Sequence, residues 1–384
     1  MPAPLTNTHI HTNYSFSVFN NPAEAVAQAV REGIEILGIN DHYTIAGHDE
    51  FRRACAVHRL APLFSMEAVA LDLEAQAAGH RLNDPANPGR CYLTAKSVTR
   101  PLRNGTPAAR TLARMRYALT QRNAQLVTNL NAHLAAIHAP VSLSMAEVEA
   151  LTPAGNTTER HVIQLLAEKI LALGTATATH LFTQLCSAPP PDLSNAAALQ
   201  DFLRATLIKA GKPDYAPELP EAFEPLPQMV SLYLEMGAIP TYPILGNPIT
   251  EVEQNIHTLL TRLASHKIFA IEVIPNRNTR ERLLEIIDAA QAASIPVFTG
   301  TEHNTKTPGP LLDKFSSEEP FRTVFFEGAL VALGHAAEIA AGHDGYVRPD
   351  GSLRFPHRPD GLAFFRQRGY QAFQRYRSGQ HPLT

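Results

Sequence analysis

The chain has 384 residues, 45% of them hydrophobic and 18% charged, enough for a large core and incompatible with intrinsic disorder. Its 33 basic and 36 acidic residues give a net charge of −3, so there is no basic excess to hold a phosphate backbone, and nucleic acid is not an expected partner. The scattered Cys55, Cys91 and Cys186 exclude a disulfide framework and a zinc knuckle. No apolar stretch reaches about 18 residues and Met1–Asn7 does not read as a leader, so a cytoplasmic protein with no membrane contact is expected. Seventeen histidines is the unusual number, because histidine is the commonest metal ligand.

Short apolar runs at 5–11 and 34–40 read as buried parallel strands. Between them Asn21-Pro22-Ala23-Glu24 supplies a helix cap, a first-turn proline and a capping glutamate, and Gly33 ends the helix. A third strand fits 62–69. Residues 80–155 hold a polar loop and helical patterns at 107–135 and 144–150, and 187–227 is proline-rich; both read as insertions over the active face. The βα rhythm then returns. Strands fit 238–244, 269–274 and 295–298, with helices opening at Thr250 and Asn278. The expected organisation is one α/β body over 1–340, interrupted by 80–155 and 187–227, with a C-terminal appendage at 341–384.

His9 and His11 sit two residues apart in a strand, so they share a face and can grip one ion while Ile10 packs the other way. Asp41-His42, Glu67 and Glu302-His303 all fall at the C-terminal ends of strands, where parallel α/β folds build active sites. Glu67 follows an apolar run in which a lone carboxylate is costly without a cation. Other histidines, such as His48, His58, His80 and His133, show no such placement and read as surface or packing residues. Arg277, after a strand at the active face, suits an anion clamp with Asn276 beside it. Lys96, Arg100 and Arg103 on the first insertion and Arg160 are further substrate-binding candidates, as are Tyr14 and Ser15.

His9-Ile10-His11-Thr12, the serine-rich loop, Leu37-Gly38-Ile39-Asn40-Asp41-His42 and Glu67 together resemble the N-terminal signature of the polymerase and histidinol phosphatase (PHP) superfamily. The resemblance implies an α/β fold, a distorted seven-stranded β/α (TIM-like) barrel with helical insertions, holding up to three metal ions at its strand ends. It also implies a further ligand, His161, in the first turn of a helix after Thr157 and Thr158. The implied scheme places one ion on His9, His11, Glu67 and Glu302 and a second on Glu67 and His161, with His42 and His303 completing a further site. His42, Glu67 and His303 would carry the chemistry. Two positions depart from the family pattern. The small-His-Pro motif reads Thr241-Tyr242-Pro243, and the closing Asp-x-His reads Glu302-His303-Asn304, which puts Asn304 in the register of the last histidine beside the substrate.

The expected function is that of a metal-dependent hydrolase, foremost a phosphoesterase acting on a small anionic metabolite through hydroxide made at the metal. Its cofactors would be one to three zinc, manganese or iron ions per chain. A hydrolase or isomerase of a sugar acid or other carboxylate is the alternative, and a degenerate metal- or partner-binding module the second. Oligomeric state is left open.

Overall fold

The structure is a computed structural model that describes residues 2–246 and 248–380. It opens with β1 (Leu5–Ile10), α1 (Pro22–Arg31), β2 (Ile34–His42), α2 (His48–Val57) and β3 (Ala61–Leu71). The Asn21 side chain accepts from the Glu24 amide at 2.9 Å to start α1, and Gly33, at φ +73°, turns the chain into β2. After α3 (Leu73–Ala78) comes β4 (Arg90–Lys96), which pairs antiparallel with β3, Met66 opposite Ala95.

Five helices follow, α4 (Pro107–Ala136), α5 (Met145–Glu149), α6 (Glu159–Leu171), α7 (Thr175–Cys186) and α8 (Ala196–Leu203). The two-residue β5 (Glu224–Pro225) joins the end of β3, and α9 (Leu226–Glu235) leads to β6 (Ile239–Ile244). The remaining elements are α10 (Ile256–Ser265), β7 (Ile271–Val273), α11 (Arg280–Ala292), β8 (Val297–Thr299), α12 (Phe321–Ala340) and α13 (Arg358–Ser378).

Seven strands form one curved sheet in the order β1-β2-β3-β4-β6-β7-β8, and a bridge from Ile10 to Glu302 brings its edges together as a barrel. β6 is antiparallel to β4 and therefore parallel again to the first three strands. The fold is thus the distorted seven-stranded barrel expected.

Three stretches differ from the sequence-based expectation. Residues 80–155 contain β4, a full barrel strand, as well as helices; its cationic ends, Arg90 and Lys96, disguise it as a polar segment. The helix expected to open at Thr250 begins at Ile256, where the Asn255 carboxamide accepts from the Thr258 amide at 3.0 Å. Thr250 and Glu253 instead close a turn before it, the carboxylate accepting from the Thr250 hydroxyl at 3.1 Å. The C-terminal appendage packs onto the main body, since α13 sends Leu362, Phe365 and Phe373 into its core. α12 and α13 cross at Gly334 and Gly369, where a methyl group on Gly369 would sit 1.8 Å from the Leu330 carbonyl oxygen. Among the described residues α12 is the one helix long and apolar enough to cross a membrane, and 67% of that stretch is buried inside the protein.

The helices of the middle region build a second core of their own. α4 touches the barrel core through Met115, then turns Leu126, Leu130 and Leu134 toward Val162, Leu166, Phe182 and Leu203. This helical cap is pinned to the barrel mouth by Asn156, whose amide donates to the His42 carbonyl at 2.7 Å and to the Tyr14 carbonyl at 3.2 Å.

Candidate metal centre

Strand alternation settles which side chains face the barrel interior. The parallel register sets Asn40 beside Ser65 and His42 beside Glu67, and the antiparallel register sets Glu67 beside Thr94. His9 reaches the same space because Gly300 on the neighbouring strand end has no side chain; a Cβ there would lie 2.2 Å from the His9 Cβ.

The hydrogen bonds fix the tautomers. His9 Nδ1 lies 2.8 Å from Glu272 Oε2, with both side chains fully buried, so the imidazole donates there and Nε2 carries the lone pair. Ser15 donates its hydroxyl to Asp41 Oδ1 at 2.6 Å, which leaves Ser15 Oγ to accept from His11 Nδ1 at 3.2 Å. His11 Nε2 is therefore a lone pair as well. These two Nε2 atoms face each other at 3.2 Å, and Glu67 Oε2 lies 3.7 Å from that of His11. Two lone pairs and a carboxylate cannot satisfy one another; a cation between them can.

His9, His11 and Glu67 place one ligand atom each within 4.8 Å of one another, all buried. The two-histidine, one-carboxylate donor set suits a divalent transition metal. Asn40 Oδ1, Ser65 Oγ and Thr94 Oγ1 share the same inner face, buried and unpartnered among the described residues, while Asn40 Nδ2 donates to His9 Nε2 at 2.8 Å. The residues present therefore fit the ion.

The electrostatics agree. Burial, then the neighbouring His42 and His9, pushes the His11 pKa well below its usual value, which keeps it a neutral ligand. Burial, followed by repulsion from Glu302 and Glu272, raises Glu67 well above the usual carboxylate range. Burial alone would raise Glu272 too, but His9 and Lys96 outweigh it and hold this carboxyl low.

The expected site residues are distributed unevenly. His42 Nδ1 contacts Glu67 Oε2 at 3.2 Å, and its ring lies 4.3 Å from that of His11, tilted by 37°. Burial, then His9 and Arg160, lowers its pKa to about 3. His161 sits in the first turn of α6, its Nδ1 accepting from the Thr158 amide at 3.0 Å and its ring edge-on to Phe16. His303 is spent elsewhere: Nδ1 meets Thr301 Oγ1 at 2.9 Å, Nε2 meets the Gly309 carbonyl at 3.2 Å, and the ring stacks on Phe19. Arg277 forks onto both carboxylate oxygens of Glu302, and Asn304 donates to the second of them at 3.1 Å. Asn276 beside it is exposed.

Lys96 is not a surface cation of an insertion. It is fully buried at the end of β4, 2.5 Å from Glu272 Oε1 and donating to the Thr8 carbonyl at 2.8 Å. Arg100 and Arg103 follow it to the wrong face, because β4 runs antiparallel and its C-terminal end leaves at the bottom of the barrel; Arg100 donates to the Glu235 carbonyl there. Tyr242 is likewise no site residue. It pairs with Ile271, whereas Glu272 on the next position faces inward, so Tyr242 turns outward and donates to Glu253 Oε1 at 3.2 Å. Tyr14 donates to Glu50.

Sequence reasoning passed over Glu272, and it set Asn40 and Asp41 at the active face without giving either a role. Asp41 accepts from the Thr12 amide at 2.7 Å and the Thr12 hydroxyl at 2.6 Å as well as from Ser15, and so braces the loop that carries His11.

Beside the centre lies a cavity of about 190 Å³ between barrel mouth and cap. His42, Phe16 and Asn304 border it on the barrel side, and Arg122, Arg160 and Arg204 on the cap side.

The PHP domain matches residues 7–211, more than half of the chain. Among solved structures, a protein from Bifidobacterium adolescentis assigned as a metal-dependent phosphoesterase superposes with a TM-score of 0.53 at 17% identity, over 84% of this chain and 96% of its own. A Chromobacterium violaceum amidohydrolase, with bound sulfate and no metal, gives 0.51 at 14% identity over 80% and 92%. No curated protein matches. At these identities the two structures establish likeness of fold.

Proposed function

The chain belongs to the PHP family, and on that premise we propose that it is a metal-dependent hydrolase whose substrate is a phosphate ester of a small metabolite. What carries this reading is the charge around the cavity. Three arginines line its cap side against a single carboxylate, Glu159, and the metal triad lies across His42 on the barrel side. An anion seated there meets positive charge from both directions.

His9, His11 and Glu67 would hold a divalent ion, which would supply Lewis-acid polarisation and lower the pKa of water toward neutrality. The chain's own residues do the rest. Glu272 and the Ser15–Asp41 pair fix which ring nitrogens point inward. His42 touches Glu67 at one edge and borders the cavity at the other, so a phosphate ester held by the arginines is presented to the triad. Arg122 and Arg204 are themselves held by Glu159, at 2.9 and 2.6 Å, which sets their direction before substrate arrives.

Arginine forks bind carboxylates as well as phosphates, and one structural neighbour is named an amidohydrolase, so a carboxylate-bearing substrate is the second reading. A panel of phosphorylated metabolites, assayed for released phosphate with Mn²⁺ or Zn²⁺ restored, separates the two. Turnover on the panel, lost together with bound metal in His9→Ala and His11→Ala, is expected. A blank panel with the metal fully bound would move the substrate to carboxylates, and turnover retained in both variants would remove the metal from the chemistry.

A further inference from the structure

Besides Asp41, which Thr12 and Ser15 already hold, three buried carboxylates surround the centre, Glu67, Glu272 and Glu302. Among the described residues, two of them already have a fixed cation. Lys96 takes Glu272, and Arg277 takes both oxygens of Glu302. Among the described residues Glu67 is paired only with the imidazoles of His11 and His42.

Glu302 is also held in place through its backbone. Its amide donates to the His9 carbonyl at 3.0 Å, its carbonyl accepts from the His11 amide at 2.7 Å, and its φ is +64°. A non-glycine residue in that left-handed conformation persists only when its surroundings enforce it. To ligate an ion, the side chain would have to leave a forked guanidinium and the Asn304 amide, and would strand Arg277 beside a dication.

We infer that the centre takes a single divalent ion, on His9, His11 and Glu67, and that the Arg277 guanidinium stands as a built-in positive charge where Glu302 would otherwise call for a second ion. The inference rests on the metal-dependent reading above. Formal charge supports it: four buried carboxylates, Asp41 included, against Lys96 and Arg277 leave two negative charges, which one dication balances, whereas a second dication would leave two positive charges confined in a buried site.

The test is ion counting, independent of turnover. The full chain is stripped, reconstituted with Mn²⁺ or Zn²⁺, freed of loose ions, and measured by elemental analysis and titration calorimetry, alongside Glu302→Gln and Arg277→Met. One ion per chain is expected in the wild type. Glu302→Gln should keep that ion at an unchanged Kd, where loss of a ligand or of its direct support weakens binding by about 10–100-fold or more. Arg277→Met should admit a second ion, because it frees the Glu302 carboxylate. Two or more ions in the wild type, or loss of the ion in Glu302→Gln, would overturn the inference. A single ion in Arg277→Met would overturn the role given to the guanidinium, and wild type and Glu302→Gln decide the ion count even where that variant fails to fold. No ion in the wild type would instead overturn the metal-dependent reading itself.

Discussion

His9 shows how much of a metal site lies outside its ligands. Its Nε2 faces the ion position only because Nδ1 is tied to Glu272, and Glu272 can stay ionised in a fully buried place because Lys96 lies 2.5 Å from its other oxygen. Replacing Glu272 by Gln keeps the shape and removes the charge. Outer partners of metal-bound histidines are worth about 10–100-fold in affinity, so Glu272→Gln should raise the Kd for Mn²⁺ or Zn²⁺ by that factor, read by competition with a chromogenic chelator. An unchanged Kd would make Glu272 a packing residue. The sequence contained the clue. Ile271-Glu272-Val273 is an apolar run broken by one carboxylate, and the desolvation argument that singles out Glu67 applies to it equally. His9, His11 and Glu67 were legible from spacing and strand position. The commitment of His303 to Thr301 and Gly309, and of Arg277 to Glu302, was not, because those partners depend on side-chain directions that a motif does not encode.

Among the elements, the parallel strands were readable because each is apolar and bounded by capping or turn residues, and β4 was not. An antiparallel strand between two parallel ones breaks the βα rhythm. It also reverses the chain, which is why Lys96 lies beneath the metal position while Arg100, four residues on, lies at the opposite face. α13 was equally hidden. Its helix carries five arginines, and its contribution to the core depends on a tight crossing with α12 more than on an apolar stripe. That crossing makes Gly369 testable. In an exposed helix Gly→Ala gains about 1 kcal/mol of helix propensity. Here the new methyl group meets the Leu330 carbonyl oxygen at 1.8 Å, and neither partner is a flexible side-chain end. Overpacking of this kind costs about 1–3 kcal/mol, so Gly369→Ala should lower the urea midpoint of the barrel despite the better propensity. A raised midpoint would mean that the two helices separate freely, and that the tail contributes little to the core.

At the scale of the whole molecule, two separate cores meet around one cavity, and the division of labour follows from their composition. The barrel, closed by the Ile10–Glu302 bridge, holds the histidines and carboxylates rigidly at the strand ends. The cap, with its own leucine-rich core, holds arginines. Glu159 lies among Lys209, Arg204 and Arg122, whose charges outweigh its burial and keep its carboxyl well below the usual range. Adding Arg160 and Asp201, this cluster carries four cations against two anions, so the cap side of the cavity is positive. Arg160 is the member least tied down, with one long contact of 3.4 Å to Asp201 and its guanidinium 5.8 Å from the Phe16 ring at the cavity wall. A residue that binds an anion away from the reacting bond contributes equally to ground and transition states, and its loss appears in KM. A charge-assisted hydrogen bond is worth about 1.5–3 kcal/mol, so Arg160→Met should raise KM for the preferred substrate by about 10–100-fold with kcat and bound metal nearly unchanged. A fall in kcat at constant KM would place Arg160 at the reacting atoms instead. No change in either would mean that substrate enters without touching the cap, so that the second core serves stability or assembly and specificity resides in the barrel loops.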